Sequence, residues 1–377
     1  MTVIYLIRHT QAEGNLYRMM QGHWDGDVTP LGYRQIDALA ERFRTVPLDA
    51  VYASDLRRAV LTAEGAARHS GLPVQPDARL RELNVGPWEG QFFGNICHTD
   101  PERIELFMHS PGDWQLPGAE TLADVTERAY PALCEIAERH PGHAVAVVSH
   151  GITIRCLLSR ILNRPLSGQE PVPIVRNTAV TKLLYEDGVF TPEYLADDSH
   201  AAHLEMADWV ANDGLRDAPF DPSADLPLYL KCYEDAWSAA HGGDRSAFRP
   251  ELYSAAALRH WKQDPGAIRK LYHEDRSVGL VDLDTAHGAE QGVGWISLLY
   301  LLPEYRNRGY GVQLLGRAVV RYRALGRHAL QLHAAPSNPA ALRFYEKCGF
   351  ARVGSEVGAS GPLAVLEKPL GGAGHVH

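Results

Sequence analysis

The sequence predicts an α/β protein in two parts: a three-layer, mainly parallel sheet, then a mixed α+β domain. Three observations carry this. First, V-I-Y-L-I (3–7) and A-V-A-V-V (144–148) are unbroken apolar runs of β-formers, the pattern of strands buried on both faces. Second, helical periodicity lies between them, and alternating strands and helices form parallel sheets. Third, the charge changes along the chain. Residues 1–200 balance at −8, residues 201–225 at −5 and residues 226–377 at +4, within a total of −9 over 377 residues. Domains of about 100–200 residues make this length a two-domain length. We therefore expect a first domain over 1–204, an acidic, proline-bearing connector over 205–225, and a second domain over 226–370.

The elements follow in order. Residues 3–7 form a strand that runs into Arg8-His9-Thr10. The opening M-T-V-I-Y-L-I-R-H is too short and too soon charged for a signal peptide. Thr29-Pro30 sets a cap and first helical turn, after which Ile36, Leu39, Ala40 and Phe43 share one face. Residues 144–148 form a second buried strand that ends in Ser149-His150-Gly151, followed by a helical pattern. Ligands bind beyond the carboxyl ends of such strands, so His9 and His150 are expected to face one another. The connector carries six acids, one arginine and two prolines, with Trp209 and Phe220 as anchors to a domain surface. Helices are expected over 226–240 and 251–263, strands near 268–273, 278–284 and 293–301, and a helix on which Val312, Leu315, Val319 and Tyr322 align. The glycine-rich tail is expected to fray.

Composition excludes several classes. The five cysteines are scattered with no C-x-x-C, which argues against a disulfide framework or zinc knuckle and for a reducing cytoplasm. The negative total disfavours nucleic acid as a partner. Apolar runs such as I-S-L-L-Y-L-L (296–302) fall short of the roughly 18 residues a membrane helix needs.

The chemistry these residues suit is phosphoryl transfer. A phosphate dianion needs cationic and N–H donors, and arginine matches it with a planar fork. Arg8 and an arginine of S-D-L-R-R-A (54–59) are candidates. An imidazole serves as nucleophile, and a carboxylic acid protonates the leaving oxygen.

The set R-H-T-Q-A-E-G-N (8–15), T-P-L-G-Y-R-Q (29–35), S-D-L-R-R-A (54–59), R-E-L-N-V-G-P-W-E-G (81–90), G-A-E-T-L-A-D-V (118–125) and V-S-H-G (148–151) resembles the histidine phosphatase superfamily, with its phosphoglycerate-mutase-like fold. The likeness covers residues 1–204. It implies His9 as the nucleophile that becomes phosphohistidine, and Arg8, Arg58 and His150 as the phosphate pocket, with Asn15 in support. It implies Glu82 as proton donor, and no metal. Arg58 rather than Arg57 matches the family's L-x-R-A pattern. Thr10 stands where the family usually has glycine, and W-E-G resembles the phosphatase branch rather than the mutase branch.

In the second half, R-N-R-G-Y-G (306–311) lies between a strand and a helix start, where free N–H groups and the helix dipole hold anions. With L-Q-L-H-A-A-P-S-N-P-A-A-L-R-F-Y-E-K-C-G-F-A-R-V-G (330–354) it resembles the GNAT acetyltransferase family, clearly over 290–355. That resemblance implies acetyl-CoA as co-substrate. Backbone of Leu299 to Leu301 runs beside the pantetheine arm, and Arg306, Arg308, Gly309, Tyr310, Gly311 and Val312 form the pyrophosphate turn. Asn338 contacts pantetheine, and Tyr345 protonates the departing thiolate. The strand before the turn carries no carboxylate for a general base; Glu304 lies just past it. Cys348 reads as a packed helix-end residue, and His333, His375 and His377 lack metal-ligand spacing. Trp88 and Trp114 suit pocket wall and core equally.

The expected whole is a bifunctional enzyme that takes a small phosphomonoester and a small amine. It needs neither nucleic acid nor membrane, and its oligomeric state, homodimer included, is open. The alternatives are a phosphatase tuned by a non-catalytic acetyl-CoA sensor, a mutase-type phosphotransferase, and a phosphatase acting on phosphoproteins.

Overall fold

The structure is a computed structural model that describes residues 1–204, 214–358 and 361–371. It divides into two compact units: residues 1–15, 19–91 and 96–211, and residues 16–18, 92–95 and 212–377.

The first unit is built on a six-stranded sheet of β1 (Thr2–Arg8), β2 (Ala50–Ala53), β3 (Val74–Pro76), β4 (Ala144–Ser149), β5 (Val180–Glu186) and β6 (Val189–Asp197). Its order is β3-β2-β4-β1-β5-β6. The first four are mutually parallel, and β5 and β6 are antiparallel additions at one edge. Alternate residues of β4 enter opposite cores. Val145 and Val147 pack with Leu133 and Ile136 of the helix Leu122–Arg139 and with Leu157 of the helix Gly151–Leu162. Ala146 and Val148 pack with Leu39 and Phe43 of the helix Pro30–Phe43 and with Ala59 and Ala63 of the helix Arg57–Ala67. These are the three expected layers. The sequence's cap reading holds as well: Gly32 N donates to Thr29 Oγ1 at 3.0 Å, and Ile36, Leu39, Ala40 and Phe43 are all buried.

The second unit is a seven-stranded sheet of β7 (Arg216–Pro219), β8 (Ile268–His273), β9 (Arg276–Asp284), β10 (Val293–Leu301), β11 (Ala329–Ala334), β12 (Ala351–Gly358) and β13 (Gly361–Pro369). Its order is β12-β13-β11-β10-β9-β8-β7, and only β10 and β11 run parallel. The helices Pro222–Ala240, Pro250–Gln263, Tyr310–Ala324 and Pro339–Lys347 complete it. Each helix and strand expected for this half is present within a few residues. Leu315, Val319 and Tyr322 are fully buried, while Val312 is half-buried.

The connector needs correction. Residues 205–213, Trp209 among them, lie outside the described residues, as does the tail from 372. Residues 216–225 do not link. They begin the second unit, because β7 pairs antiparallel with β8 and Pro222 opens a helix. The three acids of this stretch that fall among the described residues each have a structural partner. Asp217 bonds Arg269 at 2.6 Å, Asp221 Oδ1 accepts from Ser223 N at 2.9 Å as a helix cap, and Asp225 pairs Lys270 at 2.7 Å. Phe220 is 2% exposed. Composition reports charge but not what that charge faces.

Candidate active sites

The first site forms where β1 and β4 end side by side. Arg8 and Ser149 are register partners in the parallel ladder, so the next residues, His9 and His150, emerge together. Their ring centroids are 5.0 Å apart, and both are buried, at 2% and 0% exposure. His9 Nδ1 lies 2.6 Å from Thr10 O. A carbonyl only accepts, so Nδ1 carries the hydrogen and Nε2 presents its lone pair. Asn177 Nδ2 donates to His9 O at 2.9 Å, which ties this backbone to the segment before β5.

Two guanidinium groups flank the rings. Arg58 is fully buried. It donates to Gly22 O at 2.7 Å and Trp24 O at 3.0 Å, and faces Asp25 at 3.4 Å. Its neighbour Arg57 is half-exposed and turns toward Asp27, so the structure places Arg58, not Arg57, at the site. Arg8 Nη1 donates to Val175 O at 2.5 Å. Its guanidinium lies over Gly151, where an added Cβ would sit 3.3 Å from the guanidinium carbon. Burial above all, and then the charges of Arg58 and Arg8, hold both imidazoles well below the usual histidine value. Both rings are therefore neutral near pH 7. Long-range ¹H–¹⁵N NMR at pH 6 is expected to show His9 as the neutral Nδ1–H tautomer, with no titration between pH 6 and 8; a protonated ring at pH 6 would contradict this.

Among the described residues, Arg8 Nε, Arg58 Nε and both ring nitrogens of His150 are buried without a hydrogen-bond partner. Buried polar atoms are nearly always satisfied. Here four unmatched ones belong to the ring that faces His9 and to the two guanidinium groups whose charges act on it.

Glu82 closes one side. Its carboxylate accepts from Ile152 N at 3.1 Å and Thr153 N at 3.0 Å, so it sits at the start of the helix that follows His150. Arg128 holds its backbone, with guanidinium bonds of 2.8 Å to each of Arg79 O, Arg81 O and Glu82 O. The Glu120 carboxylate takes Arg128 Nε at 2.7 Å. His23 Nε2 lies 2.9 Å from Glu82 O.

Asn15 is expected in support of the phosphate pocket. Its Oδ1 accepts from Ala12 N at 3.0 Å and closes the turn after Thr10, and no hydrogen bond joins it to the histidines among the described residues. Thr10 in place of glycine is accommodated because its hydroxyl turns away from the site, donating toward Gly32 O at 2.6 Å. Trp88 and Trp114 are core residues, 4% and 2% exposed, packed together and on Phe107. Sequence reading missed Arg128, Asn177 and Thr153. Only the arginine and the threonine had a signal, since each lies a few residues past a recognised motif.

The second site lies in the other unit. β10 and β11 pair only from Val293↔Ala329 to Ile296↔Leu332. A bulge follows in β10 between Ile296 and Leu298, and β10 runs on to Leu301 paired with β9 alone. The two strands thus part beside Leu299 to Leu301. The next turn reaches Gly309, whose φ of +80° suits glycine, and the helix Tyr310–Ala324 begins there with no side-chain cap. An added Cβ on Gly311 would meet Phe344 at 2.9 Å. A parted strand pair that leads to an uncapped helix start fits the extended arm and pyrophosphate of acetyl-CoA.

The remaining expected residues divide. Arg306 Nε donates back to Leu301 O at 2.9 Å, so it pins the turn, whereas Arg308 is exposed beside Tyr305. Asn338 Oδ1 accepts from Ala341 N at 3.1 Å as a helix cap, which leaves its amide nitrogen for a ligand. Tyr345 is half-buried between Phe344 and Phe350. Burial pushes its hydroxyl above the usual tyrosine value, so it keeps its proton. Glu304 is exposed and bonds Arg276 at 2.6 Å. Cys348 is buried at the end of its helix, and His333 faces Glu356 at 3.2 Å. Among the described residues no cluster of three metal-ligating side chains occurs, and no helix is long and apolar enough to cross a membrane.

Fold and geometry together define a mainly parallel α/β domain with paired strand-end histidines and a mixed α+β domain with a parted strand pair before a helix start. The chain belongs to the histidine phosphatase superfamily (branch 1), whose model matches residues 4–198, and residues 229–350 match the Acetyltransferase (GNAT) family. It is 32% identical to "Probable phosphoglycerate mutase GpmB" of Klebsiella pneumoniae over 186 residues, 49% of this chain and 86% of that one. It is 30% identical over 187 residues to the protein of the same name in Salmonella choleraesuis, 50% of this chain and 86% of that one. The solved structure of Bacillus stearothermophilus YhfR is 33% identical, with a TM-score of 0.51, covering 53% of this chain and 99% of that one.

Proposed function

We propose that the protein is a bifunctional enzyme: a phosphomonoester hydrolase acting through phosphohistidine, and an N-acetyltransferase drawing on acetyl-CoA. The observation that carries the first activity is the grouping of Arg8, Arg58 and His150, each with an unmatched buried nitrogen, with His9, whose Nε2 presents its lone pair. A phosphoryl group satisfies those donors. His9 Nε2 attacks phosphorus, the P–O bond to the leaving group breaks, and Glu82 gives that oxygen its proton. Water then attacks the phosphohistidine and gives a proton to the Glu82 carboxylate, releasing phosphate and regenerating both groups. Arg8 and Arg58 balance the charge of the phosphoryl oxygens throughout.

Glu82→Gln tests the donor. It is expected to lower kcat/KM for alkyl phosphates by about 10²–10⁴-fold and to spare activated aryl phosphates, whose leaving groups need no proton. Equal losses on both would reject Glu82 as donor.

The names of the relatives favour a second reading, a mutase. A mutase returns the phosphoryl group to a substrate hydroxyl, whereas a hydrolase gives it to water. The W-E-G segment (88–90) supports the hydrolase. Incubation with 3-phosphoglycerate distinguishes them: inorganic phosphate marks the hydrolase, 2-phosphoglycerate the mutase.

In the second unit, acetyl-CoA when bound supplies an acetyl group as a thioester. The chain's own part is to bind and orient it. Backbone N–H groups of residues 308–312 would hold the pyrophosphate, the parted edge at Leu299–Leu301 the arm, and Tyr345 a proton for the departing sulfur. The fusion suggests one metabolite for both domains, an amine that also bears a phosphate. A metabolite screen tests this: if the best phosphatase product is never acetylated, and no phosphorylated form of the best acceptor is cleaved, the shared substrate is rejected.

A further inference from the structure

We infer that Thr153 is a positioning residue for the proton donor. Its hydroxyl turns between two acceptors as Glu82 loses and regains its proton. This rests on the hydrolase reading above and deepens it.

The carboxylate oxygens of Glu82 are unequally held. Oε1 accepts from Leu83 N at 3.0 Å and Thr153 N at 3.0 Å, and Thr153 Oγ1 lies 3.2 Å from it. Among the described residues, Oε2 accepts only from Ile152 N, at 3.1 Å. Two backbone N–H groups fill the two lone pairs of a carbonyl-type oxygen. In the protonated acid, Oε1 is therefore the C=O oxygen and Oε2 carries the hydrogen. Oε2 is then the atom that donates to the leaving oxygen.

Thr153 completes the arrangement. It is fully buried, and its Oγ1 lies 2.8 Å from Arg81 O as well as 3.2 Å from Glu82 Oε1. A hydroxyl has one hydrogen, so it serves one of these acceptors at a time. While Glu82 is protonated, Oε1 has no further lone pair to offer, and the hydroxyl bonds Arg81 O, the shorter contact. Once Oε2 gives up its proton, Oε1 gains negative charge, which strengthens it as an acceptor and lets it share a third donor. The hydroxyl then turns to Oε1 and makes a charge-assisted hydrogen bond, the stronger kind. The rotation costs no backbone movement, because Arg128 fixes Arg81 O and Glu82 O from the other side. Thr153 thus acts only as charge develops on Glu82, the condition for an interaction that speeds a step rather than tightening binding.

The test compares Thr153→Val and Thr153→Ser with the wild type, using kcat/KM, which reports steps through phosphorylation of His9. The substrates are p-nitrophenyl phosphate, whose leaving group needs no proton, and glycerol 3-phosphate, whose leaving group does. The valine variant keeps the side-chain shape and both backbone N–H donors. It is expected to lose about tenfold or more on glycerol 3-phosphate and less than about threefold on the aryl ester, with serine restoring the wild-type ratio. Aryl turnover also reports that the variant is folded. Equal losses on both substrates, no loss on either, or failure of serine to restore the ratio would each overturn the role of Thr153. A wild type that forms no phosphoenzyme would instead overturn the hydrolase reading itself.

Discussion

His9→Ala is expected to abolish phosphomonoester turnover and any acid-labile phosphoenzyme. Loss of an essential nucleophile costs on the order of 10⁶ in kcat where it has been measured, so we expect a drop of at least about 10⁴. The geometry leaves no substitute. His150 is the imidazole that faces it, at 5.0 Å between centroids, but among the described residues no backbone carbonyl bonds either of its ring nitrogens as Thr10 O does for His9. Quench-flow with a ³²P-labelled ester, followed by acid and base treatment, checks both turnover and intermediate; full activity would falsify the assignment.

The same variant has a stability signature. The folded value of His9 lies well below 6.5. Above pH 6.5 both folded and unfolded forms are neutral, and stability is complete. As pH falls below 6.5 the unfolded chain takes up a proton that the folded site refuses, and stability is lost down to the folded value, by up to about 1.4 kcal/mol per pH unit. His9→Ala removes this term. Its Tm is therefore expected to fall less steeply than that of the wild type between pH 6.5 and 5. A parallel decline would show that His9 is protonated when folded.

Tyr345→Phe is expected to lower acetyl transfer by about 10²–10⁴-fold, the range for a general acid, with acetyl-CoA binding by calorimetry unchanged. Phe fills the same space between Phe344 and Phe350 and lacks only the hydroxyl, which burial keeps protonated. The measurement also separates the transferase from a sensor. A sensor retains acetyl-CoA binding and any effect of acetyl-CoA on the phosphatase when the hydroxyl is gone, because it performs no transfer. Unchanged turnover of an amine acceptor would remove Tyr345 from the chemistry. If the wild type turns over no amine while acetyl-CoA changes phosphatase kcat/KM, the domain is a sensor.

Local pattern made much of this legible. Residues 3–7 and 144–148 are apolar on both faces, so they had to be interior strands, and the residues just past their ends had to meet at the sheet's carboxyl edge. The Thr29-Pro30 cap and the R-N-R-G-Y-G turn follow from backbone chemistry that acts within a few residues. Their positions needed no knowledge of distant partners.

Other features depend on such partners. The six acids of 201–225 read as a tether, yet Asp217 and Asp225 answer Arg269 and Lys270 across the sheet. Asn15 Oδ1 closes its own turn, a contact that the motif alone did not show. Thr153 looked like one more helix residue until Glu82, 71 positions earlier, came within reach of its N–H and hydroxyl.

By itself, then, the sequence determined the two architectures, the strand-end histidines and the glycine turn, because periodicity, capping and turn chemistry are local. Only the tertiary structure decided which charges are structural, which way His9 presents its lone pair, and how unequally the two oxygens of Glu82 are held. Those outcomes depend on burial and on hydrogen-bond partners far away in the chain.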